Sequence, residues 1–212
     1  LRPEQVCIIP YGVSESYIAA VRSESGKYAR SGEREYFSLV YAGQLYQGMR
    51  EPFELYKAIS LLNESDQARE VRLDMYGSYN SEFLKDGSAA RHITFRGQVA
   101  HGDLINVYLH ADAVVFIDNA YGMQTPGKVF EISMINRPVL CIADRGQSPA
   151  LEVLHGAGHI VITANKAEMI APAISKIMDT GMTLSNTAAP EEFSWSARSQ
   201  QYKQILTEVV NG

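Results

Sequence analysis

Lys128 and Glu131 lie three residues apart in the segment Thr125 to Leu140, TPGKVFEISMINRPVL. On a helix that spacing puts both on one face. A helix is expected there. Thr125 suits its N-cap, and Pro126 suits the first helical position, where the missing N–H is no loss. A lysine in a first turn is opposed by the helix dipole. It makes better sense beside an anion held between its ammonium and the free N–H groups of Gly127 and Lys128. Gly127 has no side chain, so a ligand can approach its backbone closely. A phosphate on Lys128 and a hydroxyl donor on Glu131 together describe the diphosphate and ribose of a nucleotide. The same residues also suit an ordinary capped helix with a solvated Lys–Glu pair.

Other chemistry-bearing patterns are weaker. Gly122 to Val129, GMQTPGKV, nearly spells the phosphate loop of nucleotide hydrolases, but Val129 stands where a Mg²⁺-binding hydroxyl is required. That match also follows several strands and reads as coincidence. Gly156-Ala-Gly158 begins like a dinucleotide fingerprint, lacks the third glycine, and precedes a strand instead of following one. There is no Asp-x-Asp to hold a diphosphate through a metal. His92, His101, His110, His155 and His159 lack metal-ligand spacing and most read as surface or helix-end residues, and no serine sits in a Gly-x-Ser-x-Gly elbow. No metal is expected.

The elements that must position these residues alternate. Short apolar runs predict buried strands at Phe37 to Ala42, Val71 to Tyr76, Ile93 to Phe95, Ala113 to Ile117, Val139 to Ala143 and Ile160 to Ile162. Helical periodicity or capping marks Pro52 to Leu62, Ser81 to Lys85, Asp103 to Leu109, the helix after Thr125, Pro149 to Leu154, Lys166 to Met178 and Trp195 to Val210. The last carries Tyr202, Ile205, Leu206 and Val209 on one face. Asn136-Arg137-Pro138 stops the central helix. Val6 to Ile9 reads as an opening strand, and residues 14–36 as a polar surface excursion, partly helical around Tyr17 to Val21. Strands alternating with helices call for an α/β fold, a Rossmann-like parallel sheet with helices on both faces.

Composition narrows the class. The chain has 212 residues, 46% of them hydrophobic and 20% charged, as a globular domain of this size should. A net charge of −5 without a basic block argues against nucleic-acid binding. Cys7 and Cys141 both sit in apolar runs, which predicts buried thiols and a cytoplasmic setting. No run is long enough for a membrane span. A chain that starts at Leu1 and enters at once as a strand reads as part of a longer protein.

Pro126-Gly-Lys128-Val-Phe-Glu131, followed by Arg137-Pro138-Val139-Leu140, resembles the nucleotide-sugar site of family 4 glycosyltransferases of the GT-B fold. The bacterial surface-polysaccharide members, which carry Pro-x-Lys-x-x-Glu, are the nearest in pattern. Leu39 to Gly43, Phe95-x-Gly97-x-Val99, Tyr108-x-x-Ala111-Asp112 and Phe193-Ser-Trp195 follow in the family's order over nearly the whole chain. Two departures stand out: Met123 replaces the first of two glutamates seven residues apart, and Gln44 replaces an expected arginine.

The resemblance implies the C-terminal, donor-binding domain of such an enzyme over residues 1–212. Residues 1–36 are its opening strand and surface excursion, 37–180 its core, 181–212 a linker and final helix, and the N-terminal acceptor domain is absent. It implies diphosphate binding by Gly43, Arg50, Thr125, Gly127 and Lys128, with Arg50 the cation left in the loop from Gly43 to Arg50. Ribose falls to Glu131, and the base to Arg96, Gly97 and Gln98 just after the third strand. Gly77 nearby and Asp118 facing the sugar are further candidates. The expected donor is UDP- or GDP-linked and needs no metal or other cofactor. Transfer would retain the anomeric configuration, to an acceptor glycan or lipid-linked saccharide, at the cytoplasmic face of the membrane. Two rivals are a sugar-nucleotide 2-epimerase of the same fold and a noncatalytic nucleotide-binding module. Met123 does not favour the epimerase, which needs acid–base carboxylates, and Met123 with Gln44 keeps the noncatalytic module in play.

Overall fold

The computed structural model describes residues 6–25, 35–65, 69–84, 91–120, 125–144, 148–155, 159–180 and 191–211. Six strands form one sheet: β1 (Tyr36–Ala42), β2 (Glu70–Tyr76), β3 (Ile93–Gly97), β4 (Ala113–Ile117), β5 (Val139–Ile142) and β6 (Ile160–Thr163). All neighbours pair in parallel, in the order β3-β2-β1-β4-β5-β6.

Among the described residues seven α-helices accompany the sheet: α1 (Glu15–Ser25), α2 (Phe53–Glu64), α3 (Leu104–His110), α4 (Lys128–Ser133), α5 (Pro149–His155), α6 (Ala167–Thr180) and α7 (Trp195–Asn211). Alternation along each strand divides the core between the two faces. Phe37, Leu39 and Tyr41 of β1, with Val115 and Ile117 of β4, pack under α2 and α6. Val40 and Ala42, with Val114 and Phe116, pack against α1, α3, α4 and α5. Because β4 and β5 are buried on both sides, their sequences are unbroken apolar runs.

The chain leaves β1 for α2 on one face and leaves β4 for α4 on the other. Between these adjacent strands the winding reverses, and the two loops part to open a crevice at their carboxyl ends. The Gly43 loop and the start of α4 sit on that crevice.

Several expectations are corrected. Val6 to Ile9 is not a strand: of residues 6–14 only Val13 pairs, in an isolated bridge to Ser194, and Ile8 is 84% exposed. A β-branched run forms a strand only where a neighbour offers hydrogen bonds, and β3 and β6 close the sheet without it. Cys7 is therefore exposed, although Cys141 is buried as expected. Within the predicted excursion, residues 15–25 form a full helix whose Tyr17, Ile18 and Val21 are buried in the α3 side of the core. Residues 26–34, and residues 181–190 of the predicted linker, lie outside the described residues.

Thr125 does not cap the central helix. Gly127 occupies the N-cap with helical φ −53° and ψ −32°, no side chain caps it, and regular α-helix begins at Lys128. The turn forms through Val129 N–H to Pro126 O at 3.0 Å and Phe130 N–H to Gly127 O at 3.2 Å. The apolar face of α7 is also left open, with Tyr202 58% exposed and Leu206 and Val209 exposed as well.

Candidate functional site

Backbone fixes the rim of the crevice. Gly43 N–H donates to Tyr76 O at 2.9 Å, and Gly77 N–H donates to Gly97 O at 2.8 Å, so the ends of β1, β2 and β3 are stitched together. Gly77 has φ +144°, and a Cβ there would stand 2.1 Å from Gly43 O. Only glycine permits that approach. A cavity of about 360 Å³ opens above these strand ends, lined by Ala42, Gly43, Gln44, Tyr76, Gly77, Ser78, Gln98, Val99, Leu104 and Lys128.

Two cations gather at the Gly43 end. Lys128 crosses from α4 to donate its Nζ proton to Ala42 O at 2.5 Å, and a Cβ on Gly43 would lie 3.6 Å from that nitrogen. Burial holds the Lys128 pKa below the ordinary lysine value; Glu131 opposes that shift and Arg50 adds to it. Arg50 reaches the same loop. It donates to Gln44 O at 3.2 Å and to Asn119 Oδ1 at 2.5 Å, while its buried Nε has no partner among the described residues. Tyr41 hydroxyl also donates to Gln44 O at 3.2 Å, and burial pushes its pKa up to about 12 against the pull of Arg50. Ala120 N–H to Met49 O at 2.8 Å clips the end of β4 to this loop. Two cations held by neutral oxygens, with no carboxylate in salt-bridge contact with either among the described residues, form a site poised for an anion.

At the other end the cavity is neutral. Gln98 Nε2 donates to Ser78 Oγ at 2.5 Å, beside the apolar Val99 and Leu104. Arg96 is spent elsewhere, its guanidinium forked onto Asp74 at 3.0 and 3.4 Å. Gly97, with φ +74°, contributes backbone through its bond from Gly77.

The remaining predicted residues lie off the cavity wall. Glu131, 8% exposed, accepts a 2.9 Å hydrogen bond from His101 on its Oε1. Asp118 is buried at the end of β4, its N–H bonded to Ile142 O at 2.9 Å, and it adds to the burial that pushes the Cys141 thiol up to about 12. The space beside Gly127 is filled by the Tyr11 ring, 3.3 Å from where a Cβ would stand. A side chain at Gly127 would crowd the Tyr11 ring, which would have to shift by a few tenths of an ångström. Thr125 makes no capping bond, and Met123 lies outside the described residues. The structure thus unites Gly43, Gly77, Gln98 and Lys128 in one cavity, with Arg50 behind the same loop. Among the described residues no three potential metal ligands cluster.

Sequence reasoning missed His101, Tyr11 and the role of Asn119 in holding Arg50. Their partners are 30, 116 and 69 positions away, so no local spacing marks them. A second cavity of about 640 Å³, between Ile9–Tyr11 and α7, is walled by Trp195, Tyr202 and Leu206.

The doubly wound parallel sheet, with cations and glycines at its switch point, has the Rossmann-like fold of one half of GT-B structures. The chain belongs to the family of glycosyl transferases group 1, which it matches over residues 36–180. No curated protein matches it in sequence. Among solved structures it is similar to HepE of Anabaena in complex with UDP (TM-score 0.65, 16% identity, 92% of this chain and 54% of that one). WaaG, a glycosyltransferase involved in lipopolysaccharide biosynthesis, is similar with TM-score 0.58 and 14% identity over 95% and 52%. The UDP-forming α,α-trehalose-phosphate synthase of Burkholderia xenovorans, in complex with glucose-6-phosphate, gives TM-score 0.65 and 15% identity over 95% and 51%. The chain spans about half the length of these structures.

Proposed function

We propose that this chain is the donor-binding half of a glycosyltransferase that moves a sugar from a nucleoside diphosphate to a glycan or lipid-linked acceptor. The observation that carries the reading is the meeting of Lys128 and Arg50 at the Gly43–Gly77 rim of the crevice. The diphosphate lies there, against Gly43 and the start of α4. Lys128 and Arg50 stabilise negative charge as it develops on the β-phosphate during departure of the sugar. Both must exchange a neutral protein oxygen for a phosphate oxygen, a charge-assisted bond that is the stronger of the two. Glu131 takes the ribose hydroxyls, and the base lies toward Gly97 and Gln98, contacted through backbone and the Gln98 amide; Arg96, forked onto Asp74, takes no part in base binding.

UDP in the HepE structure supports a uridine-linked donor, and the WaaG likeness supports a role in surface-polysaccharide assembly. The open apolar face of α7, with the cavity beside it, supports a second domain packing there to supply the acceptor side in the full-length protein. No described helix is long and apolar enough to cross a membrane. A cytoplasmic location, at the inner face of the membrane, follows from the polysaccharide reading.

Calorimetry of UDP and GDP binding, with and without EDTA, tests the reading. Binding of one diphosphate, unchanged by the chelator, is expected. Binding that vanishes on chelation, or no binding of either, contradicts it. Donor-dependent transfer by the full-length protein separates the enzyme from a noncatalytic nucleotide-binding module.

A further inference from the structure

Glu131 is a nearly buried carboxylate with one neutral-looking arrangement left half finished. Its Oε1 accepts from His101 Nε2 at 2.9 Å, while among the described residues its Oε2 accepts no hydrogen bond. Two hydroxyls are buried in the same part of the core, those of Tyr17 and Tyr108, and neither has a hydrogen-bond partner among the described residues. The charge of Glu131 reinforces the burial that raises both phenol pKa values. A buried carboxylate ordinarily needs more than one donor. This one keeps an acceptor unoccupied, as a group awaiting a ligand hydroxyl would.

The donor that fixes it comes from elsewhere in the chain. His101 opens the short turn His101–Asp103 ahead of α3, three residues after Gln98 at the cavity wall. Its side chain is 64% exposed, and its ring leans on Tyr17 with centroids 5.9 Å apart. The Nε2 position must carry the proton to donate to Oε1. One face of the ring is therefore set by Tyr17 and one nitrogen by Glu131, and the loop bearing Gln98 becomes tied to α4.

We propose that His101 is a positioning residue for ribose recognition: it locks the Glu131 carboxylate so that Oε2 faces the vicinal hydroxyls of the donor's ribose. This rests on Glu131 being the ribose acceptor, as in the function proposed above. His101 does not touch the ligand itself. Its effect passes through Glu131, so it depends on the hydroxyls being present.

The test uses the full-length protein and calorimetric titration with UDP and with 2′,3′-dideoxy-UDP. His101→Leu keeps bulk against Tyr17 without a donor, and His101→Gln restores a donor through its side-chain amide. His101→Leu should weaken UDP about three- to tenfold and leave dideoxy-UDP unchanged, with His101→Gln returning to within about twofold of wild type. Glu131→Gln, run alongside, should erase the preference for the intact ribose. If Glu131→Gln erases that preference while His101→Leu retains it, the His101 proposal is overturned and the Glu131 reading stands. An equal loss for both ligands in His101→Leu, or no recovery in His101→Gln, overturns it as a general packing effect. Should Glu131→Gln keep the wild-type preference, the ribose reading fails and takes the His101 proposal with it.

Discussion

The two ends of the cavity are built differently. At the Gly43 end, side chains do the work: Lys128 and Arg50 are brought in from two elements and held by carbonyl and amide oxygens. At the Gly97 end, backbone and neutral groups dominate, because the cation predicted there, Arg96, is forked onto Asp74. A diphosphate needs charge, which long side chains can carry across a sheet. The flat edge of a base needs donors and acceptors at fixed spacing, which strand ends supply. Both ends depend on one close contact between Gly43 and Gly77.

That contact gives the largest expected effect. Gly77→Ala places a Cβ 2.1 Å from Gly43 O at φ +144°, so it should destabilise the protein by about 2–3 kcal/mol and weaken nucleotide binding at both ends. Thermal melting with titration checks this. Unchanged melting would mean that the rim relaxes freely and the ends are not coupled through it.

The cationic end can be sharpened with pH. Lys128 has a depressed pKa in the free protein, chiefly through burial, and a bound phosphate favours its charged form. Diphosphate binding should then take up a proton between that depressed value and the ordinary lysine value, and affinity should fall as pH rises through the window. The stability sign is opposite. The unfolded chain binds the proton that folded Lys128 gives up, so Lys128 makes stability rise with pH across the same window. Binding enthalpies in buffers of different ionisation heat measure the uptake, which Lys128→Ala should remove.

The neutral end, proposed above to take the base, should respond least. Gln98→Ala removes one neutral hydrogen-bonding group and should cost about 1 kcal/mol of nucleotide affinity. Arg96→Ala breaks only a partly exposed pair with Asp74 and should change affinity by less than about 0.5 kcal/mol. A tenfold loss in Arg96→Ala would return Arg96 to the base site and erase the contrast between the ends.

How far the sequence reaches follows the same division. Strands β4 and β5 are the most legible, because burial on both faces leaves unbroken apolar runs such as Ala113 to Ile117. Lys128 was legible because its oddity is local: a cation in a first turn after a glycine. Val6 to Ile9 misled because a strand is a property of its neighbour, and the sheet offers none. Thr125 misled because Gly127 itself takes a helical conformation, which leaves the cap two residues downstream. His101 opens a short helical turn and carries no local mark of its role. Its partner, however, is set by how α3 and α4 meet, which no spacing in the chain encodes.

The central claim is that Lys128 binds the phosphate and Glu131 the nucleoside. Calorimetry of Lys128→Ala and Glu131→Gln with the bound diphosphate and with its bare nucleoside tests it directly. Lys128→Ala should lose about 2 kcal/mol, roughly thirtyfold, with the diphosphate and close to nothing with the nucleoside, whereas the loss in Glu131→Gln should persist with both. Equal losses for both ligands in both variants would contradict the assignment.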